Sequence, residues 1–278
     1  MTRIQAKSII RGLRRNVLIA TLISLFLMGI LSFSLVGVAI LSSSSFRTQS
    51  LWSAATFAGL AWVMLTVLSA RQVRSANQAA AYLSAGRFDL AEQELTAALQ
   101  TFSLYRTGKL LVCHNLAVVV HGQKNYIAAA ELCDGIISLQ RRSNPGVGRV
   151  CRILLADCRL FLGDTLAAFK ALQPLIRRRS ELSLGEQLLL LPIELRCTVA
   201  DGRYEDAVRD LPGTIRRAEL LDSPRAALVH ALLAKACKAL GREAQGRRLE
   251  ERAELYHDLS ELQKEYAVLG DSPAANNP

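Results

Sequence analysis

Aromatic residues are scarce in this sequence: they make up 6% of the 278 residues, although 51% of the residues are hydrophobic. Strands are enriched in aromatic and β-branched side chains, so this composition favours Leu- and Ala-rich helices over a β-rich fold. We therefore expect an all-α protein of one or two domains.

Catalytic and cofactor-binding motifs are absent from the sequence. It contains no G-x-x-x-x-G-K-[ST], no G-x-G-x-x-G after a strand and no G-x-S-x-G, the patterns of phosphate-binding loops, dinucleotide sites and nucleophile elbows. His114 and His121 are seven residues apart, whereas a metal-binding pair on a helix is usually spaced by about three or four. We predict that the protein is not an enzyme and has no cofactor and no metal site.

Closely spaced cysteine pairs are absent too, since none of the six cysteines forms a C-x-x-C motif. Each cysteine is surrounded by apolar residues at helical spacing. We interpret them as small buried hydrophobic side chains in a reducing compartment.

Acidic residues are missing from residues 1–70, which carry six Lys and Arg residues. Six of the ten net positive charges therefore lie in this segment, and four remain for residues 71–278. Because the basic excess is concentrated at one end of the chain, we expect no nucleic-acid partner.

Two uncharged runs, 17–41 and 51–70, follow the basic residues 1–16. About 20 apolar residues cross the hydrocarbon core of a bilayer, so the runs predict a transmembrane hairpin joined by the short loop 42–50. A cleaved signal peptide is the first alternative, but the first run is too long for one. A buried hairpin of a soluble protein is the second, but such hairpins rarely contain two runs without a charge.

Lys and Arg flank both runs, and the connecting loop contains only Arg47. Positive charge stays on the cytoplasmic side of a membrane. We therefore predict an integral protein of the bacterial inner (plasma) membrane, with a cytoplasmic N-terminus, C-terminus and repeat domain. Small residues spaced by four in the second run favour close helix packing, either within the hairpin or in a homo-oligomer. They are Ala54, Ala55, Ala58 and Gly59.

An internal repeat follows the apolar runs. Five similar stretches start at positions 86, 124, 163, 202 and 241, which are 38, 39, 39 and 39 residues apart. Small residues recur mainly seven positions before and five positions after these starts, where they let two helices cross closely. The spacing predicts about five helix-turn-helix units over residues 75–269.

This pattern resembles the tetratricopeptide repeat (TPR) family. The residues that carry the resemblance are Tyr82, Gly86, Phe88, Ala91, Leu95, Ala98, Leu116, Ala117, Tyr126, Ala129, Gly202, Tyr204 and Ala207. The repeat here is somewhat longer than the family's usual period of about 34 residues. The resemblance implies an α-solenoid with a concave groove that binds other proteins.

The resemblance also implies which side chains would line that groove, namely those six and three positions before each turn. The candidate partner-binding residues at these positions are His121, Asp157, Arg196, Lys235 and Lys238. The basic members suit an acidic peptide, and the alternative is a solvated face. Beyond them, the charged stretch from Glu243 to Leu269 predicts a solvated capping helix, and residues 270–278 predict a disordered tail.

Together these patterns predict a membrane-anchored TPR-like scaffold for protein–protein interaction at the cytoplasmic membrane face, with an unknown protein partner. The alternative is a small structural subunit of a membrane complex, for secretion or envelope assembly, in which the transmembrane hairpin makes the main contacts.

Overall fold

Helices form all the regular structure in the part of the chain that the structure describes, and no strand occurs there. The predicted all-α class is therefore confirmed. The structure is a computed structural model and describes residues 1–40, 56, 59–61, 63–64, 67, 74, 77–101, 103, 106–140 and 145–270. The chain divides into two compact units, Met1–Gly148 and Arg149–Pro278.

The first unit contains a long N-terminal helix and two helical hairpins. Its helices are α1 (Arg3–Ile40), α2 (Phe88–Gln100), α3 (Arg106–Gly122) and α4 (Tyr126–Leu139). Residues 77–84 form a further helical stretch before α2. α2 packs against α3, α3 against α4, and α1 lies mainly against α4.

The second unit contains three more hairpins and a short C-terminal helix. Its helices are α5 (Pro145–Phe161), α6 (Thr165–Ile176), α7 (Leu184–Ala200), α8 (Tyr204–Val208), α9 (Leu211–Ala218), α10 (Ser223–Ala239), α11 (Glu243–Tyr256) and α12 (Leu259–Glu265). Single 3₁₀ turns lie at Arg179–Glu181 and Ala267–Leu269. The second helix of the fourth hairpin is split into α8 and α9, and Asp210 caps α9 by accepting a hydrogen bond from the Gly213 amide.

One turn geometry recurs in all five hairpins. The residues at the turn, all with positive φ, are Gly86, Lys124, Gly163, Gly202 and Gly241. In the fourth hairpin the Gly202 amide donates to the Val199 carbonyl at 3.1 Å, and the Arg203 amide donates to the Thr198 carbonyl at 3.0 Å. The other four turns repeat this pair of bonds, which is the Schellman motif that satisfies the last carbonyls of a helix. The five predicted turn positions are confirmed.

The small residues on both sides of each turn are buried. Those before the turn are Ala79, Ala117, Ala156 and Ala234, with Leu195 in the fourth hairpin, and those after it are Ala91, Ala129, Ala168, Ala207 and Gly246. At the last turn a Cβ atom on Gly246 would lie 3.2 Å from the Ala234 carbonyl oxygen and 2.6 Å from Cγ of Lys238. The two helices therefore cross at a distance that suits only the smallest side chains.

A buried lysine ends α2. Lys109 on α3 donates hydrogen bonds from Nζ to the carbonyls of Ala98 (2.9 Å), Leu99 (2.7 Å) and Thr101. These carbonyls belong to the last turn of α2, where a helix lacks partners of its own and favours a positive charge. Burial lowers the pKa of Lys109 to about 8.

The N-terminal half of α1 is part of the first unit. Ala6 and Leu13 are buried, and Ile10 between them fits against the backbone of α4. A Cβ atom on Gly135 of α4 would lie 2.4 Å from Cδ1 of Ile10. The absence of a side chain at Gly135 thus makes the notch that receives α1.

Ion pairs connect the same two helices. Glu131 of α4 lies 2.6 Å from Nη2 of Arg3 and 3.8 Å from Nζ of Lys7. Both cations are more than half exposed, so the pairs contribute little energy and serve mainly to orient α1. The basic residues 1–16, predicted as a separate N-terminal segment, are thus docked on the helical hairpins.

The predicted localisation is wrong for the part of the chain that the structure describes. No helix in that part combines the length and the apolar character that a membrane span requires. The first predicted span, 17–41, is not a separate element, because its residues to position 40 continue the helix whose charged first half packs on α4. The loop 42–50 lies outside the described residues. So does most of the second span, 51–70, including three of its four small residues.

All six cysteines are buried, as predicted. Burial raises the pKa of Cys197 to about 12, and it also raises the pKa of Cys237. Both side chains therefore stay protonated and behave as small apolar groups. The reducing compartment remains a prediction.

Candidate partner-binding groove

A groove runs along the C-terminal ends of the first helices in the three hairpins of the second unit. We use the name "groove" for the surface lined by Leu160 and Phe161 of α5, Arg196 and Val199 of α7, and Lys235 of α10. Together with Glu265, Ala267 and Val268 near the C-terminus, these residues line a cavity of about 460 Å³. The turn glycines place these side chains at the same level, because each helix ends with the same geometry.

Arg196 is the central polar side chain of the groove. It is only 5% exposed, and its Nη1 forms an ion pair with Asp157 of α5. Its guanidinium carbon lies 4.5 Å from the centre of the Phe161 ring and 4.7 Å from the centre of the Tyr266 ring, and these two rings adjoin each other, with centres 5.6 Å apart. A planar guanidinium stacks well on aromatic faces while its edge bonds a carboxylate.

One donor of the same guanidinium is unused. Nε of Arg196 is buried and has no hydrogen-bond acceptor among the described residues. An unsatisfied buried donor costs about 1–3 kcal/mol. Among the described residues, Arg196 therefore keeps one donor that its ion pair and ring contacts leave unsatisfied.

The two lysines predicted to line the groove are also engaged by the chain. Nζ of Lys235 donates to the carbonyl oxygen of Gly270 at 2.6 Å, and Nζ of Lys238 lies 2.5 Å from a carboxylate oxygen of Glu250. Both lysines also line a second cavity of about 410 Å³ next to the groove. Both lysines are partly exposed, so the alternative prediction of a solvated face remains open.

The C-terminal segment, which we define as residues 258–270, occupies the groove. The chain leaves α11 through His257 in an extended conformation, with φ −164° and ψ 150°. α12 and the following 3₁₀ turn then pack on α10, and the turn also contacts α7. Leu262 and Leu269 are buried in these contacts.

The prediction of one solvated helix from Glu243 to Leu269 is therefore wrong. The helix stops at Tyr256, and the chain folds back because a second apolar surface is available in the groove. Gly270, predicted as the first residue of a disordered tail, is held by Lys235. Residues 271–278 lie outside the described residues.

The structure groups four of the five candidate residues. Asp157 pairs with Arg196, Arg196 and Lys235 line the groove, and Lys238 lies beside it. The fifth candidate, His121, belongs to the first unit, where its ring meets the edge of Tyr126 at a centroid distance of 5.2 Å.

Sequence reasoning missed Phe161 of the groove, and it missed Tyr266 and Gly270 of the C-terminal segment. The sequence did contain a signal for the C-terminal segment, because apolar side chains recur there three or four positions apart. They are Leu259, Leu262, Tyr266 and Leu269. Such a stripe is typical of a helix that packs on another surface.

Histidines and metal-ligating side chains are the groups that commonly carry catalysis. His230 is fully buried and stacks on Tyr256 at 5.7 Å, and burial lowers its pKa, so it is a neutral core residue. No group of three metal-ligating side chains occurs in the described ranges. That the protein is not an enzyme remains a prediction.

Arginines are also concentrated around a cavity of about 390 Å³ between α6, α7 and α9. Each of them is paired with a carboxylate: Arg179 with Glu194, Arg203 and Arg209 with Asp206, and Arg217 with Asp210. The arginines of this cavity are thus all paired with carboxylates, whereas Lys235 of the groove donates to a neutral carbonyl.

Comparisons with protein-family models, curated proteins and solved structures found no match for the chain. The resemblance to the TPR family thus rests on the sequence pattern, and it remains a prediction.

Proposed function

We propose that this chain is a TPR-like α-solenoid scaffold that binds segments of other proteins in its groove. The observation that carries the proposal is that the groove already holds a peptide segment. Residues 258–270 lie across the ends of α7 and α10, and they contact Arg196 and Lys235 through a ring and a main-chain carbonyl.

The chemistry of the groove supports peptide recognition. It combines an apolar floor with a few convergent polar groups, the usual composition of a ligand site. Arg196 offers a flat cation for an aromatic ring, and Lys235 offers a donor for a carbonyl or carboxylate. Neither group needs a covalent step or a cofactor to bind a peptide.

The recurrent hairpin supports the repeat part of the proposal. Five Schellman turns recur at intervals of 38–39 residues, and in four of the five hairpins buried small residues lie on both sides of the turn. Repeats of this kind present aligned first helices, and such surfaces commonly serve in binding.

The alternative function, a subunit whose transmembrane hairpin makes the main contacts, is not carried forward. It depends on two membrane spans, and no described helix could cross a membrane.

Site-specific photo-crosslinking tests the scaffold proposal. A photoreactive amino acid is placed at Leu160 in the groove and, as a matched control, at Leu166, an exposed leucine on α6. We expect discrete protein adducts from Leu160 in the producing cell and none of the same mass from Leu166. Identical adducts from both positions, or no adduct from Leu160, would contradict the proposal.

A further inference from the structure

We infer that the C-terminal segment is an internal competitor for the groove, and that the partner which displaces it carries an aromatic residue followed four positions later by a carboxylate. This inference rests on the proposed function. The inference specifies the chemistry of the partner and states that the segment fills the groove before the partner binds.

The contacts of the C-terminal segment define what the groove accepts. The ring centre of Tyr266 lies 4.7 Å from the guanidinium carbon of Arg196 and 5.6 Å from the ring centre of Phe161. Four residues later, the carbonyl oxygen of Gly270 accepts a hydrogen bond from Lys235. A ligand of this groove therefore needs a ring at the first position and an oxygen acceptor at the second.

The segment uses these two cations incompletely. No carboxylate of the described residues forms an ion pair with Lys235, which donates to the neutral carbonyl of Gly270. Nε of Arg196 has no acceptor. The present bond of Lys235 joins a charged donor to a neutral acceptor. A partner that brings a carboxylate in place of the Gly270 carbonyl would add the attraction between opposite charges to that hydrogen bond.

Charge favours an acidic partner over a neutral one. The C-terminal segment itself has three carboxylates and one lysine, at Asp258, Glu261, Glu265 and Lys264. It already has the acidic character that suits the cations of the groove, but it places no carboxylate at position 270. The segment is therefore complementary to the groove without being its strongest possible ligand.

The segment is also attached in a way that permits release. α12 has seven residues, and it follows an extended residue, His257, after the end of α11. Its loss would leave the hairpins and their turns intact, because their hydrogen bonds are formed within each hairpin. Local opening of a short docked element costs less than unfolding of the whole unit.

The test uses a synthetic peptide of residues 258–270, fluorescently labelled at its N-terminus, in two forms. One ends in a free carboxylate at Gly270 and the other ends in a carboxamide. Binding by fluorescence anisotropy is measured with the full chain, with its Tyr266→Ala variant and with the Tyr266→Ala/Lys235→Met variant. Leu255→Ala, an exposed residue of α11, is the control variant, and circular dichroism checks the helix content of every variant.

We expect the carboxylate peptide to bind the Tyr266→Ala chain at least about tenfold more tightly than the unaltered chain, because an occupied groove reduces apparent affinity by the fraction that is open. The carboxamide form should bind that variant several-fold more weakly than the carboxylate form. Lys235→Met should remove this difference, and Leu255→Ala should behave as the unaltered chain. If Tyr266→Ala loses helix content, the Leu269→Ser variant is used in its place. This change should release the segment without altering the contact with Arg196.

Equal binding to the unaltered and opened chains, or equal binding of the two peptide forms, would overturn the inference. A dimer in sedimentation that Tyr266→Ala abolishes would overturn it too, since the segment would then be exchanged between copies. These failures are distinguishable from failure of the scaffold itself. If adducts form at Leu160 and their yield does not rise in the Tyr266→Ala variant, the scaffold proposal stands. The inference that the segment competes for the groove is then refuted.

Discussion

Asp157 and Arg196 occupy the same position in consecutive repeats, 39 residues apart, and form a buried ion pair. The next residue in this series is Lys235, which follows at the same spacing. One carboxylate therefore faces two cations along the groove. The pair neutralises Arg196, whereas the contact of Lys235 within residues 145–270 is with the neutral carbonyl of Gly270.

Removing one member of this pair should destabilise the protein strongly. We expect Arg196→Met to lower the free energy of unfolding by about 3–5 kcal/mol, because Asp157 is then left partly buried without its partner. Urea denaturation of the second unit's helices, followed by circular dichroism, measures the loss.

The double variant Asp157→Leu/Arg196→Met is the matched control for that measurement. With both charges gone, much of the lost stability should return, since the remaining cost is that of packing alone. A double variant as unstable as the single one would show that the rings, and not the ion pair, hold Arg196 in place.

A substitution at Lys124 should increase the stability of the first unit. Lys124 has a φ of 61°, and the other four turns have glycine at this position. A side chain in the left-handed region costs about 1–2 kcal/mol, so we expect Lys124→Gly to raise the midpoint of thermal unfolding of the first unit. The reverse change, Gly163→Ala, should lower stability by a similar amount, because no atom lies within 4 Å of the new Cβ and only the backbone is strained. Opposite signs for the two variants are the expected result, and equal signs would contradict the strain argument.

Lys109 should make the stability of the first unit depend on pH. Burial lowers the pKa of Lys109 from 10.5 to about 8 in the folded chain. Between these values the unfolded chain binds more protons, so the free energy of unfolding rises with pH, by about 1 kcal/mol from pH 8 to pH 9. Above pH 9 the cysteines act in the opposite sense, because their raised pKa values keep them protonated only when folded.

Denaturant titrations at pH 8.0, 8.5 and 9.0 check this slope. Lys109→Met should lose it, and it should also be less stable at every pH, because three carbonyls at the end of α2 lose their donor. A slope that persists in Lys109→Met would assign the effect to another group.

Gly135 should control the docking of α1. A methyl group at Gly135 would meet Ile10 at 2.4 Å, and overpacking of this kind costs about 1–3 kcal/mol. We expect Gly135→Ala to speed trypsin cleavage after Lys7 and Arg11. The double variant Ile10→Ala/Gly135→Ala restores the space and should slow cleavage again, whereas equally fast cleavage would mean that the notch does not hold the helix.

The hairpins could be predicted from the sequence because their signals are local. Gly202 and its equivalents indicate a turn because glycine readily adopts positive φ. Ala156 and Ala234 indicate a helix crossing because their side chains are small. The groove residues Arg196 and Lys235 came from the resemblance to the TPR family, applied to the register of the repeat. Each inference needed only residues within one repeat.

The contacts that were missed join residues far apart in the chain. No glycine or proline marks the reversal at His257, so the charged stretch after α11 predicted one continuous helix. Tyr266 reaches Arg196 only because three hairpins bring their ends together. In the same way, the apolar run after Val17 predicted a separate span, whereas α1 begins at Arg3 and is held by Ile10 and Glu131.

The recurrent turn has a consequence for how this protein could have grown. Every hydrogen bond that closes a turn forms within six consecutive residues, such as Thr198 to Arg203. A tandem duplication of a stretch of coding sequence one repeat long would therefore transfer a complete, self-closing joint with its helices. New hairpins could be added by such events without redesign of their neighbours, and selection would then act on the side chains that face the groove.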